Sequence, residues 1–337
     1  MDFQVHEDFS SFDPQEWNAL VAEGISDVPF LRYEYLQAWW DTRGGGEWKD
    51  ARLLLISARE GDHLIGIAPL FAAEHAGRQA VLLLGSIEIS DYLDLIVRAA
   101  DQERFLGGLI EFLDADPAWS TLDWYNLPEA SPTLPAMQAE AERKGWSYSQ
   151  AIYHPTPTIA LPGSFEAYLA TVEKKQRHEI RRKLRRAEES GRGVRWYLVS
   201  DESSLEAETE AFLKLMEGDP AKAGFLTGAM RAQMHATIQA AFHNGWLWMA
   251  FLEIDGQKAA GALNFDYRNR LWGYNSGVDR SFMELSPGWV LLAYTLQWAA
   301  DHGRAEFDFM RGDEEYKYRF GAMNRQVMRS VIERVHR

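Results

Sequence analysis

The chain contains no cysteine. This excludes a cysteine nucleophile, a thiolate metal site and an iron–sulfur cluster, and it fits either redox compartment. Long apolar runs are also missing, and none approaches the roughly 18 residues needed to span a bilayer. The N-terminus has acids where a secretory signal carries a basic and then an apolar segment. A soluble cytoplasmic protein is therefore expected, with peripheral contact to a membrane as the other option. No Gly-x-x-x-x-Gly-Lys-Ser/Thr loop, His-Glu-x-x-His helix or Gly-x-Ser-x-Gly elbow occurs. In Gly273-Tyr274-Asn275-Ser276-Gly277 the serine stands one place late. The nine histidines are scattered, with no pair at ligand spacing on one helix, so no metal site is expected. Positive charge is scarce, with a net charge of −15, which argues against a general nucleic-acid binder.

Against that acidic background, residues 174–186 hold eight cations opposed only by Glu179. They are a solvated helix face or the contact for a local anionic partner. The remaining signal is a duplication. Gly61-Asp62-His63-Leu64-Ile65-Gly66 and Gly256-Gln257-Lys258-Ala259-Ala260-Gly261 are each a turn leading into an apolar strand, with the glycines at one spacing. Leu122-Asp123-Trp124-Tyr125 is echoed by Phe307-Asp308-Phe309-Met310. A repeat this long suggests two copies of one domain, and 337 residues accommodate two.

Residues 1–50 read as two helices, with Tyr35, Trp39 and Trp40 as a core stripe and 44–46 as a loop. Strands follow at 52–58, 64–72, 80–85 and 91–97, then helix 103–113, strand 121–126, helix 135–144 and an extended stretch 147–161. His154-Pro155-Thr156-Pro157 is the linker, since two prolines two apart forbid a helix. One long basic helix over 164–190 opens the second half, with Phe165, Leu169, Val172, Ile180 and Leu184 as its apolar seam. A strand at 194–199, helices at 202–217 and 230–244, and strands at 246–254, 259–267 and 271–277 come next. Helix 289–301, strand 305–310, short helix 314–320 and strand 326–335 complete the chain. The domains expected are 1–160 and 161–337. The class is α+β, each copy a mixed, mostly antiparallel sheet flanked by helices.

This order resembles the GCN5-related acyltransferase (GNAT) fold in its tandem form, the FemAB-type and CelD-like proteins. The residues carrying the resemblance are Ser286-Pro287-Gly288 opening an apolar helix, the segment from Phe307-Asp308 through Gly312 to Tyr316-Lys317, the basic stretch 174–186, and Asp91-Tyr92-Leu93-Asp94. The resemblance implies a sheet that splays after its fourth strand, with an acyl thioester donor, CoA or a carrier, in the cleft. It places donor phosphates at the helix opened by Ser286 (N-cap), Pro287 and Gly288. Typical acetyl-CoA-binding members carry an Arg/Gln-x-x-Gly-x-Gly/Ala loop before that helix, and residues 279–285 contain none. No permanently bound cofactor is implied.

Acyl transfer needs the acceptor deprotonated, the carbonyl polarised and the leaving group protonated. Asp308 is a candidate base, although Asp123 holds the equivalent place in the first copy, so a structural role stands beside the catalytic one. Glu315 and Lys317 lie near the cleft mouth in the family. Lys317 neutralises an anion or pairs with Asp313 or Glu314. Tyr316 sits where relatives keep the tyrosine that protonates the departing thiolate, or else it is a packing residue. Tyr274 and Asn275 would line the same cleft, and Arg311 joins the donor- or acceptor-binding set. So do Arg177, Arg181, Arg182 and Arg185, facing an anionic partner such as a carrier protein, tRNA or a membrane surface. The expected function is transfer of an acetyl or longer acyl group to an amine or hydroxyl of a sugar, lipid or amino-acid acceptor. The alternatives are an aminoacyl-tRNA-dependent transferase and a non-catalytic binding module in polysaccharide or envelope assembly.

Overall fold

The computed structural model describes residues 1–334. Two compact units divide the chain. One is Met1–His154 with the residues from Gln326 on, and the other is Pro155–Arg325. The cut falls inside the extended stretch, before 160, and the final strand returns to the first unit instead of ending the second.

The first unit opens on a strand, β1 (Asp2–His6), where two helices alone were expected. It pairs antiparallel with β2 (Arg52–Glu60), and Phe3 stacks on Phe105 and Phe112. Helices α1 (Pro14–Glu23), α2 (Tyr33–Asp41) and the single turn α3 (Arg43–Gly46) intervene. Tyr35, Trp39 and Trp40 are buried, so the aromatic stripe is core. Next come β3 (His63–His75), β4 (Arg78–Leu83), β5 (Ile96–Val97), α4 (Gln102–Asp114), β6 (Thr121–Pro128) and α5 (Thr133–Lys144). Strand β7 (Ser147–Ala160) begins in this unit and ends in the other.

The linking helix expected over 164–190 is two helices, α6 (Phe165–Thr171) and α7 (Lys174–Glu188). Val172 and Glu173 between them have extended ψ angles of 142° and 136°, because Val172 turns into the core beside Phe320. The second unit continues with β8 (Val194–Leu198), α8 (Glu202–Met216), α9 (Pro220–Phe225), α10 (Gly228–His243), β9 (Leu247–Ile254), β10 (Gln257–Tyr267) and β11 (Arg270–Val278). Then come α11 (Pro287–Asp301), β12 (Glu306–Asp308), α12 (Glu315–Arg319) and β13 (Met323–Glu333). Val335, expected to end the last strand, lies outside the described residues. Strands β8 to β11 form an antiparallel meander, β12 joins β11 in parallel, and Thr158, Ile159 and Ala160 flank β12. Helix α11 packs on one face of this sheet and α8 on the other.

The first unit repeats the scheme: β1 to β4 are antiparallel neighbours, and β6 runs parallel to β4. That parallel pair spans only Ala80↔Thr121 and Val81↔Leu122 before the strands part. The gap is filled by the unit's own chain. The Leu93 amide donates to the Asn126 carbonyl at 2.9 Å, and Asn126 Nδ2 donates to the Ile87 and Ser90 carbonyls at 3.0 and 2.8 Å. Ile87, Ile89, Leu93 and Leu95 are buried there. This filling explains why the strand expected over 91–97 shrinks to Ile96–Val97. Asp94, fully buried, anchors the filler by accepting from Ser26, Ser131, Thr133 and the Leu95 amide. Burial nonetheless pushes its carboxyl above the ordinary range.

In β6, Asp123 accepts both arms of Arg329 at 2.8 and 2.7 Å. Without Arg329 the buried Asp123 is left, among these partners, with the Tyr125 hydroxyl at 3.4 Å and the His75 ring at 3.6 Å. Arg329→Ala should therefore cost about 1–2 kcal/mol, read from the urea midpoint, since Asp123 is buried but the Arg329 side chain is 39% exposed, whereas exposed Arg182→Ala should leave the midpoint essentially unchanged.

Candidate active site

Strands β11 and β12 run side by side only through Arg270↔Glu306, Leu271↔Phe307 and Trp272↔Asp308. β12 then stops. Met310 takes a φ of +58°, a left-handed geometry that a non-glycine residue adopts only when the surroundings enforce it. Asp308 is part of that enforcement. It is fully buried, and its Oδ1 accepts from the Met310 amide at 2.7 Å, an Asx turn. β11 runs on to Val278 alone, and a cavity of about 590 Å³ opens in the gap. That volume suits a small-molecule site.

Its walls are apolar, built from Leu291, Leu292, Phe307, Phe309 and Phe320, with Trp289 at one end. Polar groups gather at Lys222, Asn264, Asn275, Arg311, Glu314, Tyr316 and Lys317. The register of the sheet sorts these groups onto two faces. Asn264 opposes Gly273 and Trp248, and Trp248 packs in the core with Leu291 and Leu296 of α11. The next pair on β11 is Leu263↔Asn275, so Tyr274 is an extra, bulged residue. Asn275 thereby shares a face with Gly277, where a Cβ would strike Leu215 of α8. The cavity thus passes through the sheet, with an α11 side and an α8 side.

On the α11 side, Ser286 holds the N-cap position with a φ of +54° and makes no side-chain cap bond. The expectation of a serine-capped helix is corrected: the first turn lacks a side-chain cap, and its uncapped N–H groups suit an anion. Gly288 lines the cavity, where a Cβ would lie 2.9 Å from Val278 Cγ1; Ser286 and Pro287 do not line it. Asn264 is 3% exposed and its Nδ2 has no partner. That is an unmet donor on the cavity wall, a group suited to a ligand oxygen.

Lys317 is buried, not on the surface. Its ammonium donates to the carbonyls of Phe309, Arg311 and Gly312 at 3.3, 2.9 and 3.2 Å and pairs with Glu314 at 2.9 Å. It therefore staples the segment that bounds the mouth. Gly312 makes the turn possible, with a φ of +114° and a Cβ position blocked by the Glu314 carboxylate. Tyr316 lines the cavity and meets the Phe309 ring edge-on at 5.9 Å. Although part of its ring stays exposed, desolvation and then the Glu314 carboxylate push its phenol above the ordinary value of 10. It remains a proton donor through neutral pH.

Other expected site residues lie elsewhere. Asp308 faces away from the cavity between Phe307 and Phe309, which line it, because residues alternate along a strand. Glu315 points to solvent and pairs with Arg319 at 2.6 Å. Arg177, Arg181, Arg182 and Arg185 do not line the cavity. Arg181 pairs with Glu166, Arg182 with Glu179 at 2.7 Å, and Arg177 reaches the Leu169 and Ala170 carbonyls. The helix meets the site through Lys183, whose ammonium lies 4.0 Å over the Trp289 ring. Tyr274, Asn275, Arg311, Tyr316 and Lys317 all line the cavity.

Two residues were missed. Glu314 sits next to the glutamate chosen instead, and only the helical turn separates the roles of the pair. Lys222 lies 53 positions before Asn275 on α9, a helix not anticipated, and no local signal marks it. Glu206, Glu210 and His235 also meet across α8 and α10, with the imidazole nitrogens 3.4 and 2.8 Å from the two carboxylates.

Residues 174–318 match the family model described as an acetyltransferase (GNAT) domain. A FemX crystal structure is similar in fold over 98% of this chain and 97% of its own, at 11% identity and a TM-score of 0.66. A tandem GNAT protein from the clavulanic acid biosynthesis pathway is similar over 100% and 99%, at 14% identity and 0.53. L-PGS from Bacillus licheniformis is similar over 96% and 92%, at 12% identity and 0.57. No curated protein matches the sequence.

Proposed function

We propose, from the premise that this chain is an acyltransferase of tandem GNAT fold with a GNAT domain in its second unit, that the second-unit cavity is the reaction chamber. An acyl thioester, on CoA or a carrier, enters from the α11 side. The acceptor enters from the α8 side and receives the acyl group on an amine or hydroxyl. The observation that carries this reading is the open splay between β11 and β12, set against the filled splay of the first unit. The second unit keeps room for a donor where its strands part.

The chemistry balances on residues of the cavity. An amine that has given one proton to water attacks the thioester carbon; the C–N bond forms and the C–S bond breaks. Tyr316 passes its proton to the departing thiolate and is reprotonated from the second proton leaving nitrogen. Lys317 keeps the mouth in shape through the carbonyls it holds.

Acyl-CoAs should raise the melting temperature of the protein in a concentration-dependent way. Gly288→Val, which crowds the uncapped helix end, should weaken that binding at least about tenfold, roughly a lost charge-assisted contact. A melting temperature unmoved by acetyl-CoA, longer acyl-CoAs and acylated carrier protein alike would remove the transferase assignment. Glutamates at Arg181, Arg182 and Arg185 separate the donors. Loss of carrier-protein or aminoacyl-tRNA binding with CoA binding retained would favour a macromolecular donor seated on α7, and that binding should fall steeply with salt.

A further inference from the structure

Lys222 is a cation built into the cavity wall without a counter-ion in contact. Its Nζ donates to Asn275 Oδ1 at 2.9 Å and to the Ser276 carbonyl at 2.6 Å, both neutral acceptors. Those two bonds aim the ammonium into the α8 side of the cavity and leave a third N–H over. Among the described residues no carboxylate makes an ion pair with it; Asp219 and Glu314 act on it only from a distance. Burial disfavours its charge, which lowers its proton affinity. A half-buried ammonium held by neutral oxygens gains most from an anion arriving in the cavity.

Glu314 supplies the complementary group. Its Oε2 is held by Lys317, which leaves Oε1 for a ligand at the mouth. The cavity mouth therefore presents a cation on α9 and a carboxylate ahead of α12, with Tyr316 beside the latter. Neither belongs to the α11 side, where the uncapped helix end and Asn264 face the donor.

We infer that Lys222 recognises a carboxylate on the acceptor, so that the acceptor is a zwitterion of the amino-acid kind, its carboxylate against Lys222 and its ammonium against Glu314. This rests on the transferase reading for its catalytic sense, but the binding site stands on its own geometry. It narrows the acceptor from sugars, lipids and amino acids alike to molecules with an anion next to the amine. Neutral sugars and plain amines lack the group that Lys222 is placed to meet.

The test uses the full chain, with the protein α-amino acids and the corresponding α-carboxamides as two probe sets in ligand-observed NMR. Each hit is then titrated by calorimetry. At least one acid should bind, and its carboxamide should bind at least about tenfold more weakly. Lys222→Gln, which keeps a donor for Asn275 but drops the charge, should weaken the acid about 10- to 100-fold and leave the carboxamide unchanged. Lys222→Arg should recover part of the loss. Melting temperature and acetyl-CoA affinity, read on the same samples, show that Lys222→Gln is folded and that its donor side is intact. Equal binding of acid and carboxamide, acid binding untouched by Lys222→Gln, or no binding from either set would each overturn the inference. An acid held through Lys222 by a protein that binds no acyl-CoA would instead sink the transferase reading and leave this one standing.

Discussion

Lys317→Met should destabilise the protein by about 3 kcal/mol and abolish acyl transfer together. The lysine spends its ammonium on three carbonyls and Glu314 while only 3% exposed. Methionine fills much the same volume, so little of the loss comes from packing. Each carbonyl left without a donor costs roughly 1 kcal/mol, and Glu314, half open to water, rehydrates cheaply. The segment through Gly312, bent at a φ of +114°, then loses what holds it, and the mouth of the cavity goes with it. Urea unfolding and acyl transfer should both report the change. A variant within about 1 kcal/mol of the parent would show that the staple is not needed.

Tyr316→Phe should behave in the opposite way, with stability and donor affinity kept and turnover lost by about 100-fold or more, the usual size of a general-acid contribution. The hydroxyl is the only group removed, and it sits at the mouth beside Glu314. Its proton affinity is raised, first by desolvation and then by that carboxylate. The protonated, donating form therefore persists to higher pH than in a free tyrosine. The alkaline fall of turnover in the parent should accordingly lie above pH 10 if Tyr316 sets it. In Tyr316→Phe the part of that limb due to the phenol should vanish. Unchanged single-turnover rates in the variant would reduce Tyr316 to a packing residue.

The two halves differ in how much their sequences disclosed. Phe307-Asp308-Phe309 alternates, and that alternation already separates the cavity-lining phenylalanines from the aspartate. What it left open is whether the aspartate side serves chemistry. Burial and the bond to the Met310 amide support a role for Asp308 in holding the exit of β12. The pair Glu314 and Glu315 was ambiguous for a simpler reason. Glu314 is the extended N-cap of α12, with a ψ of 131°, while Glu315 is its first helical residue, and only that boundary decides which one meets the cavity. The Val172–Glu173 break lay hidden because both residues fit a helical pattern, and the extended turn is imposed by packing on Phe320.

The sequence by itself determined the duplication, the α+β class and most of the order of elements, though not β1, α9 or the break between α6 and α7. These follow from local periodicity and turn chemistry, which neighbouring residues carry between them. Tertiary structure alone decided which copy keeps an open splay, since residues 86–95 fill the first, whereas a cavity of about 590 Å³ lies in the second. It also brought Lys222 to Asn275 across 53 positions, and moved the basic helix from the cavity to its flank. Cavities and charge partnerships depend on residues remote in the chain, whose distances no local pattern encodes.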